Sequence, residues 1–89
     1  MNEITMTLKH KSGLHARPAA LFVQAASRFK SKINVRNGER EANAKSIMGV
    51  LSLGANQGAV ITIHAEGEDA EQAIQQLVSL IEDNFGESA

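Results

Sequence analysis

At 89 residues the chain suffices for one compact domain, expected over 1–89, and is too short for two. A domain this small buries only about 60–65% of its unfolded surface, so chemistry is expected on the surface rather than in a deep cavity. Hydrophobic residues at 43%, charged residues at 21% and a net charge of −1 argue against disorder and supply no basic balance for direct nucleic-acid or anionic-lipid binding.

Residues 4–9 alternate apolar and polar, which predicts a strand with Ile4, Met6 and Leu8 on one face. His10 to Leu14 reads as a loop, with Gly13 supplying backbone freedom. Ala19, Phe22, Val23, Ala26 and Phe29 recur at helical spacing and predict a helix from Ala16 to Phe29. Pro18 suits its first turn, where a missing N–H costs nothing. Lys32 to Arg36 alternates again with Ile33 and Val35 inward, and Asn37-Gly38 is a two-residue hairpin signal. The return strand, Arg40 to Asn43, is short and polar and reads as an edge.

A second helix is expected from Ser46 to Leu53, with Ser46 as N-cap, Ile47, Val50 and Leu51 inward, and Gly54 as terminator. Ala59 to Ala65, rich in Val, Ile and Thr, predicts a strand. Asp69 and Gln72 resemble a capping box opening a last helix to about Phe85, with Ala70, Ala73, Ile74, Leu77, Val78 and Ile81 buried. The order β-α-β-β-α-β-α implies an α+β fold, one sheet with helices packed on one face.

The absence of cysteine excludes disulfides and thiolate metal sites and fits a reducing cytoplasm. Residues 1–5 lack the basic segment and apolar core of a signal peptide, and no apolar run approaches the roughly 20 residues of a membrane span. His10, His15 and His64 show no ligand spacing, so no metal or cofactor is expected.

Gly13-Leu14-His15-Ala16-Arg17-Pro18 carries the strongest chemical signal. His15 falls where a loop becomes a helix, and the first N–H groups of a helix attract anions. A neutral imidazole is a nucleophile near pH 7. Arg17 offers a planar cationic fork suited to phosphate oxygens. Two readings stand on these residues alone. One is a seat for a phosphoryl group on His15, with the Ala16 and Arg17 amides beneath it. The other is a solvated loop histidine beside an ordinary cation.

Gly13 to Ala19 resembles the active-site signature of the HPr family, the histidine-containing phosphocarriers of the bacterial phosphoenolpyruvate-dependent sugar phosphotransferase system. Lys45 to Gly54 resembles that family's second signature. The resemblance implies an open-faced β-sandwich, with a four-stranded antiparallel sheet and three helices on one face. It implies a carrier rather than an enzyme. Enzyme I would phosphorylate His15 on Nδ1, Arg17 and the amides opening the helix would stabilise the phosphoryl group, and an enzyme IIA domain would receive it. Ser46 is a helix cap on its own chemistry; the resemblance adds phosphorylation there by HPr kinase/phosphorylase, and binding to catabolite control protein A in organisms that have it. Ala20, Leu21, Gln24, Ile47, Met48, Leu51 and Leu53 are candidates for a docking patch, on the expectation that the two helices lie side by side as in HPr. The chain also resembles the HPr-like subfamily Crh, which lacks the histidine and works through the serine, whereas this chain keeps His15. A mainly regulatory role is thus the alternative. A cytoplasmic monomer without membrane insertion is expected.

Overall fold

The computed structural model describes residues 2–86. Strands β1 (Asn2–Thr7), β2 (Lys32–Asn37), β3 (Arg40–Asn43) and β4 (Val60–Glu66) alternate with helices α1 (Ala16–Ala26), α2 (Ile47–Ser52) and α3 (Ala70–Glu82), and a 3-10 turn follows at Asn84–Gly86. The sheet order is β1-β4-β2-β3, with every pairing antiparallel. This is the expected α+β open-faced sandwich.

The period-2 pattern of β2 and β4 builds the core. Ile33, Val35, Ile61, Ile63 and Ala65 are buried and meet Phe22, Ala26, Val50, Ala73, Leu77 and Ile81 from the helices. The opposite face stays open and polar. Thr5 pairs with Thr62 there, their hydroxyls 3.0 Å apart, and Glu3, Asn34, Arg36 and His64 line a shallow hollow.

Several local expectations are corrected. β1 stops at Thr7, although Leu8 is buried and continues the pairing through its N–H to the Ala59 carbonyl at 2.9 Å. α1 ends at Ala26 rather than Phe29, because the chain tightens into i→i+3 turns at Ala25 and Ala26. The hairpin turns on Gly38-Glu39: Asn37 stays in the strand opposite Arg40, and its side chain donates to the Leu53 carbonyl at 2.9 Å. α3 ends at Glu82, and the left-handed Asn84 and Phe85 break any continuation.

The inward face of α2 also differs from expectation. Val50 and Leu53 are buried, whereas Ile47 and Leu51 are exposed. A Cβ on Gly49 would lie 3.2 Å from the Ala42 Cβ, so the glycine lets this side of the helix sit against β3. A helix of six residues has too little length for its apolar spacing to settle which stripe faces in. Finally, Asp69 precedes α3 without capping it. Its carboxylate instead accepts the backbone N–H groups of Lys30 and Ser31, both at 2.9 Å, and the Ser31 hydroxyl. Those bonds hold its carboxyl below the usual aspartate range, the Ser31 hydroxyl contributing most.

Candidate functional site

The site is built where two loops are stitched together. The Gly58 N–H donates to the Leu8 carbonyl at 2.8 Å, the Leu14 N–H to the Ala55 carbonyl at 2.8 Å, and the Gln57 side chain to the Lys9 carbonyl at 3.2 Å. Gly13 makes the approach possible. Its φ is +60°, and a Cβ there would lie 2.2 Å from the Ala55 carbonyl oxygen, so both the backbone conformation and the space demand glycine. His10 closes the turn before it. The His10 carbonyl accepts the Gly13 N–H at 2.9 Å, its Nδ1 accepts the Ser12 N–H at 3.0 Å, and its ring packs edge-on to Phe85 at 5.7 Å.

This stitching places His15 opposite Asn56. His15 is half-buried at the residue before α1, in extended conformation. Its Nε2 lies 2.8 Å from the Asn56 Oδ1. A carboxamide oxygen only accepts, so Nε2 donates and the neutral ring keeps its lone pair on Nδ1. No sequence signal singled out Asn56, since 41 positions separate it from His15.

The start of α1 is open. No side chain caps it, and no acidic residue stands in its first turn. Pro18 has no N–H to offer, and the Ala19 N–H reaches the His15 carbonyl only at 3.4 Å. The amides of Ala16 and Arg17 are the remaining donors, on exposed residues. Ala16 adopts φ +50°, a left-handed conformation that costs a residue with a Cβ about 1–2 kcal/mol. Arg17 is exposed, and no acidic residue stands in the first turn of the helix beside it. An imidazole, two amides and a cationic residue thus belong to the opening residues of one helix, at its positive end, a composition suited to a transient anion such as a phosphoryl group.

Ser46 behaves as predicted at α2. It is exposed, and its hydroxyl accepts the Gly49 N–H at 3.1 Å. The docking candidates divide. α1 and α2 pack against each other, and Ile47, Met48 and Leu51 form an exposed apolar strip on α2, Met48 at 74%. Ala20 is half-buried. Leu21 and Gln24 line a hollow shared with Gln76 and Leu80 of α3, so they belong equally to the other flank of α1. Leu53 is 1% exposed and is a core residue, not a contact for a partner. Among the described residues no cluster of His, Cys, Asp or Glu could hold a metal, and no helix is long and apolar enough to cross a membrane.

The model for the PTS HPr component phosphorylation site matches residues 2–83. The HPr-like protein Crh of Halalkalibacterium halodurans is 48% identical over 82 residues, covering 92% of this chain and 98% of the relative. The phosphocarrier protein HPr of Xylella fastidiosa strain Temecula1 is 47% identical over 87 residues, 98% of each chain. The crystal structure of HPr-C-His from Thermoanaerobacter tengcongensis superposes with a TM-score of 0.98 at 57% identity, covering 100% of both chains. A second structure from that organism, described as an HPr dimer, gives 0.79 at 59% identity over 98% of this chain and 100% of that one. The expectation of a monomer therefore does not follow from these likenesses.

Proposed function

Because the chain belongs to the PTS HPr family, we propose that it is a phosphocarrier that accepts a phosphoryl group on Nδ1 of His15 and passes it to a partner protein. The single observation that supports this best is the His15 Nε2–Asn56 Oδ1 bond, which leaves the lone pair on Nδ1 of the residue that precedes the open start of α1. On this reading Nδ1 attacks the phosphorus of a phosphorylated donor, enzyme I, and the donor's bond to phosphorus breaks with its electron pair. Arg17 and the amides of Ala16 and Arg17 hold the phosphoryl oxygens. The half-buried ring keeps the group reachable, and an enzyme IIA domain takes it in the second step. The exposed strip of Ile47, Met48 and Leu51 on α2, together with the half-buried Ala20 of the adjoining α1, supplies an adaptable apolar contact for both partners. Leu21 and Gln24 extend that contact along α1. The protein acts in the cytoplasm, where these partners work.

Ser46 is the regulatory position on this reading. Its hydroxyl is exposed, and a phosphate there would sit at a helix start that tolerates negative charge. An HPr kinase/phosphorylase is the proposed modifying partner, and catabolite control protein A the proposed reader. The Crh-named relative keeps a mainly regulatory role as the second reading.

Incubation with enzyme I and phosphoenolpyruvate should give an acid-labile, base-stable phosphoprotein, and His15→Ala should abolish it. Undiminished labelling of that variant would remove His15 from the mechanism. ATP and the cognate kinase should label wild type and not Ser46→Ala; labelling by the kinase without labelling by enzyme I would favour the regulatory reading.

A further inference from the structure

Building on the carrier reading above, we propose that Asn56 is a positioning residue that keeps one proton on Nε2 of His15 throughout the transfer cycle, so that the phosphoryl group enters and leaves at Nδ1 with no proton moving on the ring. The contact itself is the 2.8 Å approach of the Asn56 Oδ1 to His15 Nε2. A neutral imidazole carries one N–H, and an acceptor at Nε2 selects the tautomer that holds it there. Backbone contacts hold Asn56 in place. The Ala55 carbonyl takes the Leu14 N–H at 2.8 Å, and the Asn56 carbonyl takes the Ala59 N–H at 3.0 Å. The side chain itself is exposed, so its chemistry can be changed without opening the core.

The cycle balances without a base. In the first half the Nδ1 lone pair forms the N–P bond as the donor's bond to phosphorus breaks, and the ring, still carrying Nε2–H, becomes a phosphoimidazolium. In the second half the N–P electron pair returns to Nδ1 as the acceptor's nucleophile bonds to phosphorus. The ring then leaves as the same neutral Nε2–H imidazole. Had Nε2 lost its proton, the departing ring would be an anion and a poor leaving group. The bond to Asn56 strengthens when its donor becomes cationic, so the amide supports the proton most in the phosphorylated state, where it matters. An amide also does this without a negative charge beside the incoming phosphoryl group, which a carboxylate would repel.

The test reads the ring and the transfer separately. Nitrogen-15 NMR of the His15 ring in the unphosphorylated protein should show the Nε2–H tautomer in wild type and a mixture in Asn56→Ala. Transfer from phospho-His15 should fall roughly three- to tenfold in Asn56→Ala near neutral pH, the scale of one hydrogen bond to a charged donor discounted for exposure. The pH above which transfer declines should move down in Asn56→Ala and up in Asn56→Asp, which restores the acceptor. Thermal unfolding of all three proteins should coincide. An Asn56→Ala protein that labels normally and keeps the wild-type tautomer and pH profile overturns the role of Asn56 and leaves the carrier reading standing. Absence of His15 labelling in wild type overturns the carrier reading, and the transfer half of this proposal with it.

Discussion

Ser46 and His15 occupy the same place, one residue before a helix, in α2 and α1. At α2 the hydroxyl turns inward and takes the Gly49 N–H at 3.1 Å. At α1 the ring turns away to Asn56, and the first amides are left to the surface. Asp69 before α3 makes a third choice, directing its carboxylate across to the backbone of Lys30 and Ser31. A capped start is satisfied within its own turn and adds to stability. An uncapped start forgoes that contribution and can receive an anion that comes and goes. One structural position thus has two forms: a start satisfied by its own side chain at α2, and a start left open at α1, where the proposed exchange would take place.

The largest effect should come from closing the gap that makes the α1 start possible. Gly13→Ala meets both a φ of +60° and a backbone oxygen 2.2 Å from its new Cβ, so a loss of about 3 kcal/mol is expected by urea denaturation. Labelling of His15 should fall even below the midpoint, because the Leu14–Ala55 bond that sets His15 against Asn56 is displaced. A variant that keeps both stability and labelling would show that the loop does not place the site.

Asp69→Ala is the next largest, and its signature is pH dependence. The carboxyl titrates below the usual aspartate range because the Ser31 hydroxyl and the Lys30 amide bond to its ionised form. The native state therefore binds this proton less readily than the unfolded chain. Its stabilisation is fully present above about pH 4, near the ordinary aspartate value, and is lost as pH falls through the lowered folded value. Melting temperatures of wild type and Asp69→Ala should differ at neutral pH and converge on acidification. Parallel curves would mean that the carboxylate's bonds contribute nothing specific.

Ser46→Ala should cost the least, about 1 kcal/mol, the usual worth of a serine cap. Labelling of His15 by enzyme I should persist. If stability is unchanged, the 3.1 Å bond to Gly49 is not a cap in energetic terms and the contrast between the two starts weakens.

Much of this was legible in the residues, and the reason is range. The alternation of β2 and β4, the apolar stripe of α3, Pro18 in a first turn, the Ser46 cap and the stop at Gly54 all depend on neighbours within about four positions. His15 and Arg17 at a helix start are likewise local, so sequence alone determined that an imidazole and a cation stand at the opening of α1, and the order of the elements. Three-dimensional packing decided what those residues face. Asn56 meets His15 across 41 positions, and Asp69 meets Ser31 across 38. The burial of Leu53 and exposure of Leu51 depend on which side of a six-residue helix rests on β3. Periodicity states that a helix has an inner face, but in so short a helix only the neighbour that Gly49 admits settles which face it is. The nitrogen of His15 that keeps its lone pair is settled the same way, by an acceptor that a distant loop brings to the other nitrogen.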